Sequence, residues 1–133
     1  MKVVKAVIEK GKDGYWIYFE NLKGCFSFGE SIADAMENSK EAVKEYIEVS
    51  MELKEELPKI LKGEFKFEYK ADIKSFFKEF EVLNMSAIAK RSKINPSLLR
   101  QYAIGKKNPS IAQAKKIENS IHLLAKELLA VQF

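Results

Sequence analysis

Residues 64–70 alternate between charged and aromatic side chains without exception, in the order Glu-Phe-Lys-Phe-Glu-Tyr-Lys. Because successive side chains of a strand point to opposite faces, this alternation predicts a β-strand with one buried face and one solvated face. The pattern changes at Asp72, which we expect to cap a helix. One face of that helix carries Ile73, Phe76, Phe77 and Phe80. From there to the end of the chain the apolar residues recur at helical spacing, so we expect a first domain that ends with this strand and a second domain that is all helical.

Three further strands are predicted ahead of this one, at residues 3–10, 15–20 and 25–28. These runs are rich in β-branched and aromatic side chains, which are typical of strands. The residues Gly11-Lys12-Asp13-Gly14 form the turn of a hairpin between the first two strands, and residues 21–24 turn the chain toward the third.

A long helix is predicted after the third strand. Ser31 caps it, with Asp34 at the spacing of a capping box. The apolar positions that recur at helical intervals are Ile32, Ala35, Met36, Ala42, Val43, Tyr46 and Ile47. We expect this helix to lie along the sheet and to extend as far as Pro58. The N-terminal half then has the order β-β-β-α-β, and the whole chain belongs to the α+β class.

Charge is distributed unevenly along the chain. Residues 1–63 carry ten Lys against twelve Asp or Glu, and residues 64–84 carry four Lys against five, so both segments are slightly acidic. Residues 85–133 carry nine Lys or Arg against only Glu118 and Glu127, a net charge of +7. The asymmetry indicates a basic module that binds a polyanion, joined to an acidic module. The alternative is a lysine-rich surface that is merely solvated.

Several kinds of site are excluded by what the sequence lacks. Cys25 is the single cysteine and His122 the single histidine, so neither an internal disulfide nor a zinc site built from these residue types can form. We expect no metal and no cofactor. Lysines interrupt the first residues, so they do not read as a signal peptide, and no stretch approaches the ~20 apolar residues of a membrane span. We expect a soluble, cytoplasmic protein.

Two short helices joined by a tight turn are predicted in the C-terminal half. They span residues 85–92 and 97–104. Asn84 caps the first helix, and Lys93-Ile94 forms the turn. Asn95-Pro96 starts the second helix, because Asn is a favoured N-cap and Pro at the first helical position leaves no hydrogen bond unmade. Gly105 ends it, and a basic loop leads to a long last helix that begins after Ser110. This arrangement predicts a helix-turn-helix.

The spacing in this region resembles that of the phage-repressor type of helix-turn-helix. The residues that carry the resemblance are Ile88-Ala89, Ile94, Leu99 and the exit Gly105-Lys106-Lys107-Asn108-Pro109-Ser110. Two positions depart from the usual pattern: Lys93 stands where glycine commonly allows a left-handed turn, and Ser92 stands where leucine commonly packs. In such folds the start of the second helix enters the major groove, while the flanks and the following loop touch phosphate.

Eight residues of this region are predicted to contact DNA: Arg91, Lys93, Asn95, Ser97, Arg100, Gln101, Lys106 and Lys107. Arg100 and Gln101 are expected on the outward face of the second helix, where Arg pairs with guanine and Gln with adenine. The flanking cations are expected to contact phosphate, which supplies affinity without sequence information. Each of these cations has the alternative of being an idle solvated charge.

A short motif follows the second predicted strand. It consists of Phe19-Glu20-Asn21-Leu22-Lys23-Gly24-Cys25, then Gly29-Glu30-Ser31, then the helix positions Ala33, Ala35, Glu37, Ala42 and Glu45. This succession, within residues 3–50, resembles the HicB antitoxin domain. In that family a proline-aspartate-leucine-proline-glycine-cysteine segment precedes glycine-aspartate-threonine and a helix rich in alanine and glutamate. Both prolines and the aspartate of that segment are replaced here.

The resemblance implies a partial ribonuclease-H-like fold that binds and masks a small RNA-degrading toxin, HicA. It also implies that a C-terminal DNA-binding domain represses the operon of the pair, and that the chain is not an enzyme. The residues agree, because a metal-dependent nuclease needs carboxylates that converge from strands, and residues 3–8 carry none. Glu9, Asp13 and Glu20 stand at strand ends, where solvated side chains are the simpler interpretation.

Aromatic side chains of the second and third strands are the predicted toxin contacts: Tyr15, Trp16, Tyr18, Phe26 and Phe28. Alternation along the second strand sends Tyr15, Ile17 and Phe19 to one face, and Trp16 and Tyr18 to the other. One face must cover the helix, and an aromatic pair on the other face offers a partner a large, rigid contact area. The alternative is that a further element or a second subunit covers these rings.

The sequence thus predicts a toxin-binding domain over residues 1–70 and a DNA-binding and dimerisation domain over residues 72–133. In the last helix, one apolar stripe is expected to pack on the helix-turn-helix: Ile111, Ala114, Ile117, Ile121, Leu124, Leu128 and Val131. Four more apolar residues lie outside it: Leu123, Leu129, Ala130 and Phe133. They predict a homodimer or a higher homo-oligomer, because soluble monomers seldom expose such a patch.

Three functions compete at this stage. The first is an antitoxin that neutralises a HicA-like toxin and represses its own operon by binding operator DNA. The second is a stand-alone transcriptional regulator whose N-terminal domain senses a small ligand. The third is a metal-dependent nuclease of ribonuclease-H type, which the lack of carboxylates in the first strand disfavours.

Overall fold

The computed structural model describes all 133 residues of the chain. They form two compact units, Met1–Asp72 and Ile73–Phe133, and all four β-strands lie in the first. The architecture is mixed α+β, with a strand-rich sheet in the N-terminal unit and helices following it. Independent folding of the two units stays a prediction.

The N-terminal unit has the element order β-β-β-α-β. Its elements are β1 (Lys2–Lys10), β2 (Tyr15–Phe19), β3 (Phe26–Gly29), α1 (Ile32–Glu52), a short 3-10 helix (Lys59–Leu61) and β4 (Phe65–Ala71). This order agrees with the expectation, but α1 ends at Glu52 and does not reach Pro58. The reason is local: Lys54 is left-handed, with φ of 54°. The N–H groups of Lys54 and Glu55 bond back to carbonyls of the last turn and close the helix end.

The four strands form one sheet in the order β3-β2-β1-β4. β1 pairs antiparallel with β2, where Ile8 lies opposite Ile17, and parallel with β4, where Val4 lies opposite Phe67. A parallel neighbour requires a crossover connection, which α1 and the 3-10 helix supply. β3 pairs antiparallel with β2, so β3 and β4 are the two edges of the sheet.

α1 packs across β2 and β3 and covers one face of the sheet. The helix begins as predicted, because Ser31 Oγ accepts a hydrogen bond from the N–H of Asp34 at 3.1 Å. Its approach to β3 is so close that a Cβ on Gly29 would collide with the backbone of Ala35, so only glycine fits there. The buried core between helix and sheet consists of Val4, Ala6, Ile8, Tyr15, Ile17, Phe19, Leu22, Cys25, Ile32, Ala35, Val43 and Leu61.

The C-terminal unit consists of α2 (Ile73–Glu79), α3 (Met85–Ser92), α4 (Pro96–Ala103) and α5 (Ile111–Ala130). The predicted N-caps of α3 and α4 are confirmed: side-chain oxygens of Asn84 and Asn95 accept from a backbone N–H three and two residues along. Ser110 caps α5 in the same way, through the N–H of Gln113. The buried core of this unit consists of Phe77, Ile88, Ala89, Ile94, Leu99, Tyr102 and Ile117. No helix in the structure is both long and apolar enough to cross a bilayer.

The apolar stripe expected along α5 is wrong at three positions. The middle of the helix packs as predicted, through Ile117, Ile121 and Leu124. Ile111, Leu128 and Val131 are exposed instead. The main neighbour of α5 is α3, which is only eight residues long and therefore cannot cover both ends of a helix of twenty residues.

Candidate functional site

The face of the sheet that α1 leaves open carries a cluster of four aromatic rings. Trp16 of β2 lies opposite Phe28 of β3, and Tyr18 lies opposite Phe26. The ring centroids of Trp16 are 4.9 Å from those of Phe28 and 5.9 Å from those of Phe26. Tyr18 and Phe26 are 42% and 54% exposed. Such a contiguous, partly exposed aromatic cluster is a candidate binding surface.

Two glycines of the turn between β1 and β2 make room for these rings. A Cβ on Gly11 would lie 2.9 Å from Cδ1 of Trp16, and a Cβ on Gly14 would lie 2.7 Å from Cζ of Phe28. The sequence shows both glycines only as turn residues, so their part in seating the rings was missed. The available signal is their place beside an aromatic strand, since close packing on a ring is a further use of glycine.

Tyr15 does not belong to this surface, so the prediction that it contacts a toxin is wrong. The side chain is 1% exposed and lies in the core under α1. The alternation itself gives the reason, because residue 15 shares its face with Ile17 and Phe19. At the turn end of β1, Lys10 Nζ lies 4.5 Å from the centroid of the Tyr15 ring.

The rest of the open face carries charged residues beside valines of β1. Lys5 of β1 lies opposite Glu68 of β4, and Val7 lies opposite both Tyr18 and Lys70. The face therefore changes from aromatic at β3 to charged at β4. Because its charges are of both signs, the open face is not acidic.

The acidity of this unit lies on α1. Six exposed carboxylates recur there at spacings of three and four residues: Asp34, Glu37, Glu41, Glu45, Glu48 and Glu52. Such spacings place them on one side of the helix. Because the other side of α1 packs on the sheet, this acidic stripe and the aromatic cluster belong to opposite sides of the unit.

Cys25 is part of the core rather than a reactive group. It is buried, and its N–H donates to the carbonyl of Leu22 in the turn before β3. Burial raises the pKa of the Cys25 thiol, which keeps it protonated at neutral pH and poorly nucleophilic. No group of three or more His, Cys, Asp or Glu side chains is arranged to hold a metal ion.

The turn between α3 and α4 is made by a lysine in a left-handed conformation. Lys93 has φ of 57° and ψ of 40°. The N–H groups of Lys93 and Ile94 donate to carbonyls of the last turn of α3, which is the pattern of a Schellman helix end. Beside it, the buried Ser92 hydroxyl donates to the carbonyl of Ile88 at 2.7 Å. The two residues that depart from the repressor pattern thus sit in a helix end that these hydrogen bonds close.

The exposed side of α4 carries Ser97 and Arg100, while Gln101 is half-buried. Arg100 Nη2 lies 3.3 Å from Ser86 Oγ at the start of α3. Asn95 uses its side-chain oxygen as the cap of α4, at 2.9 Å from the N–H of Ser97. Ser97 and Arg100 therefore present polar groups to the outside of α4, and Gln101 does so only in part.

The loop after α4 holds two exposed lysines in a defined place. Gly105 is left-handed, with φ of 79°. The N–H groups of Gly105 and Lys106 donate to the carbonyls of Tyr102 and Gln101, at 3.1 and 2.9 Å. These bonds tie the backbone of Lys106 and the adjoining Lys107 to the end of α4.

Arg91 and Lys93 are placed at the other end of α3 from Arg100. Arg91 Nη2 donates to Glu127 Oε2 of α5 at 2.8 Å. Arg91 and Lys93, with Lys116 and other residues of α5, line an open cleft of about 420 Å³. The predicted DNA contacts therefore form two groups, one on α4 and its loop and the other beside α5.

Electrostatically, the C-terminal unit is strongly positive. It carries eleven Lys or Arg and four Glu, a net charge of +7, and no acidic residue lies between Glu81 and Glu118. The two acidic residues of α5 are paired: Glu127 with Arg91, and Glu118 with Lys115 at 2.9 Å. The hydrogen bond from Lys115 holds the pKa of Glu118 below its usual value. α3 and α4 themselves carry no acidic residue, and Glu127 of α5 pairs with Arg91 of α3.

A comparison with protein families assigns both units to one family. The family model described as HicB_like antitoxin of bacterial toxin-antitoxin system matches residues 4–126. The chain belongs to this family. The HicB-like match begins in β1 and ends in α5, so it covers both units, whereas the resemblance in the sequence lay within residues 3–50. The HicB part of the sequence prediction is confirmed.

A curated relative of this HicB-like chain is the UPF0150 protein of Helicobacter pylori (strain J99 / ATCC 700824), which is 45% identical over 38 residues. The matched segment is 29% of this chain and 53% of the relative. The chain therefore matches about half the length of that protein. This match is short and covers 38 residues, whereas the match to the family model covers both units.

Proposed function

We propose that this chain is an antitoxin that neutralises a HicA-like RNA-degrading toxin through its N-terminal unit and represses its own operon through α3 and α4. It acts in the cytoplasm, uses no cofactor and is not an enzyme. The observation that carries the proposal is that this HicB-like chain has two different exposed surfaces, one on each unit. One unit exposes an aromatic cluster, and the other exposes a cationic helix pair without acidic residues.

Toxin binding by the open face follows from the chemistry of its rings. Trp16, Tyr18 and Phe26 form one connected group, and such side chains supply large contact areas with few rotatable bonds. Truncating a central ring of such a contact commonly costs about 2 kcal/mol or more of binding free energy. A toxin that binds RNA is expected to be basic, so the acidic stripe of α1 speeds the encounter without forming the contact.

DNA binding requires α3, the Lys93 turn and α4 to act as a helix-turn-helix. The start of α4 then enters the major groove, where Ser97 and Arg100 meet base edges and Gln101 contributes from the rim. Lys106 and Lys107 meet phosphate from the loop, and Arg91 and Lys93 do so from the end of α3. Support comes from the exposed polar groups of α4 and from the absence of acidic residues between Glu81 and Glu118.

The repressor form is proposed to be a homodimer joined through the end of α5. Leu128, Leu129, Val131 and Phe133 are all exposed, Leu129 by 86%. A second subunit covers such a patch most simply. A two-fold pair of helix-turn-helix units reads two half-sites about 34–36 Å apart, so the operator is expected to be palindromic.

A co-expression and reporter experiment tests the function as a whole. The full chain is produced together with a HicA-like toxin, and separately with a reporter under its own promoter. Restored growth and a repressed reporter are the expected results. A chain that represses the reporter but does not rescue growth, and whose repression a small metabolite relieves, would instead be the stand-alone regulator.

A further inference from the structure

β4 is an open edge of the sheet. It has seven residues, Phe65–Ala71, and its only strand neighbour is β1. None of the backbone hydrogen bonds made by turns and loops involves residues 64–71. Neither proline nor glycine interrupts the strand. A long, regular edge presents a row of unpaired N–H and C=O groups and is a template for pairing with another chain.

We propose that β4 pairs antiparallel with β4 of a second copy of this chain, about a two-fold axis at Phe67. The two four-stranded sheets then join into one sheet of eight strands. A two-fold axis that reverses strand direction keeps the faces of the sheet, so both α1 helices lie on the same side. The residues of this assembly surface are not those of the aromatic cluster or of the end of α5.

The charge pattern of β4 selects this register. With Phe67 at the axis, Lys66 lies opposite the partner's Glu68, and Glu64, the residue before β4, lies opposite the partner's Lys70. Each of the four charged residues then faces an opposite charge, which stabilises a cross-strand pair. None of the four makes an ion pair within 4.0 Å in its own chain.

Neighbouring registers are disfavoured by the same pattern. A shift of two residues places the axis at Lys66 or at Glu68. With the axis at Lys66, the Lys66 side chains of the two copies face each other, and with the axis at Glu68, the two Glu68 side chains do. Like charges directly opposite each other are destabilising. A shift by one residue would place aromatic side chains opposite charged ones and is incompatible with a two-fold axis that keeps the faces.

The aromatic side of the strand supports the same pairing. Phe65, Phe67 and Tyr69 form a row with ring centroids 5.6 and 6.0 Å apart. All three rings are only half-buried, because α1 packs mainly over β2 and β3. In the proposed register Phe67 meets the partner's Phe67, and Phe65 meets the partner's Tyr69. The pairing therefore covers rings that one chain alone leaves partly exposed.

A charge-exchange series tests the pairing by sedimentation velocity. The full chain carries Leu129→Glu throughout, which removes any association through α5, and is expected to remain a dimer at tens of micromolar. Lys66→Glu or Glu68→Lys alone should weaken dimerisation at least about tenfold, because each puts like charges opposite twice. The double variant Lys66→Glu with Glu68→Lys should restore it. A monomeric parent, an unaffected single variant or a double variant that stays monomeric would each overturn the proposal.

A disulfide experiment tests the register and needs no change in the core. Chains with Lys66→Cys are mixed with chains that carry Glu68→Cys under mild oxidation, and a disulfide-linked heterodimer is expected. Neither variant alone should cross-link, because identical positions lie about 8 Å apart between Cα atoms, beyond disulfide reach. Wild-type chain is the control for the buried Cys25. Absence of the mixed species, or equal cross-linking of one variant with itself, would overturn the register. Both results are independent of toxin and DNA binding.

Discussion

Arg91 of α3 donates a hydrogen bond to Glu127 of α5, with 2.8 Å between Nη2 and Oε2. Both side chains are partly exposed, so the pair contributes about 0–1 kcal/mol to stability. It also neutralises a cation that we expect to contact phosphate. Glu127→Ala should therefore strengthen binding to every DNA sequence and steepen the salt dependence by about 0.9.

Fluorescence anisotropy with operator and random duplexes at several salt concentrations measures this effect. Glu118→Ala is the matched control, because it removes the same charge from α5 and leaves Arg91 paired. If the two variants gain affinity equally, the gain comes from net charge alone, and Arg91 is not a phosphate contact.

Truncation of Arg100 and truncation of Lys106 should affect DNA binding in different ways. Arg100→Ala is expected to lower operator affinity by ~1–3 kcal/mol and to relax specificity, because a base contact is lost. Lys106→Ala should weaken operator and random DNA alike and make the salt slope shallower by ~1, because a phosphate contact is lost. The same titrations separate the two, and an equal loss of both DNA types on Arg100→Ala would remove this residue from the base-reading set.

Replacing Lys93 with glycine should raise stability and lower affinity for DNA. Its left-handed conformation suits glycine, so Lys93→Gly is expected to raise the free energy of unfolding by about 0.5–1 kcal/mol. Lys93→Ala keeps the Cβ and should give no such gain, while both variants lose the same affinity for DNA. Thermal unfolding and anisotropy provide the two readouts.

Lys54 supplies the control for this prediction, since it is left-handed too but ends α1. Lys54→Gly should raise stability without any change in DNA affinity. A Lys93→Gly chain that binds DNA as well as the wild type would mean that the Lys93 ammonium makes no phosphate contact.

Neutralisation of the toxin should depend on the open face and not on the acidic stripe. Tyr18→Asp with Phe26→Asp is expected to abolish rescue of growth, because charges replace rings at the centre of the contact. Glu41→Lys with Glu45→Lys should slow association and leave dissociation nearly unchanged. Surface plasmon resonance with the purified toxin resolves both rates.

Val49→Asp is the control for folding, because Val49 is an exposed apolar residue of α1 away from the open face. Should the α1 variants accelerate dissociation while the ring variants bind normally, the toxin site would lie on the helix instead.

A charge placed in the apolar end of α5 should weaken cooperative operator binding. Leu129→Glu is expected to lower affinity for a palindromic operator far more than for a single half-site, because only the former uses two subunits. Val82→Glu places the same charge on another exposed apolar residue and should change neither. Equal affinities of the Leu129 variant and the wild type for the palindrome would show that α5 is not the repressor interface.

Helix starts and turns were predictable because they depend on residues close in sequence. Ser31, Asn84 and Asn95 all cap the helices they were expected to cap. The ends were less predictable: Lys93 takes a left-handed conformation that glycine usually takes, and Lys54 does the same where no helix end was foreseen. Lysine carries no local signal for this conformation. The residue after Lys93, Ile94, is buried, whereas the residue after Lys54, Glu55, is exposed.

By itself, the sequence determined the order of the strands and helices, the two-sided character of β2 and β4, and the positive charge of the C-terminal half. These properties follow from alternation, capping and composition, which are local. Only the tertiary structure decided which face of β2 is buried under α1, that α1 turns its carboxylates away from the aromatic cluster, and that β4 lies at an edge parallel to β1. Each of these depends on which distant segment lies alongside, and strand pairing and helix packing are set by contacts between residues far apart in the chain.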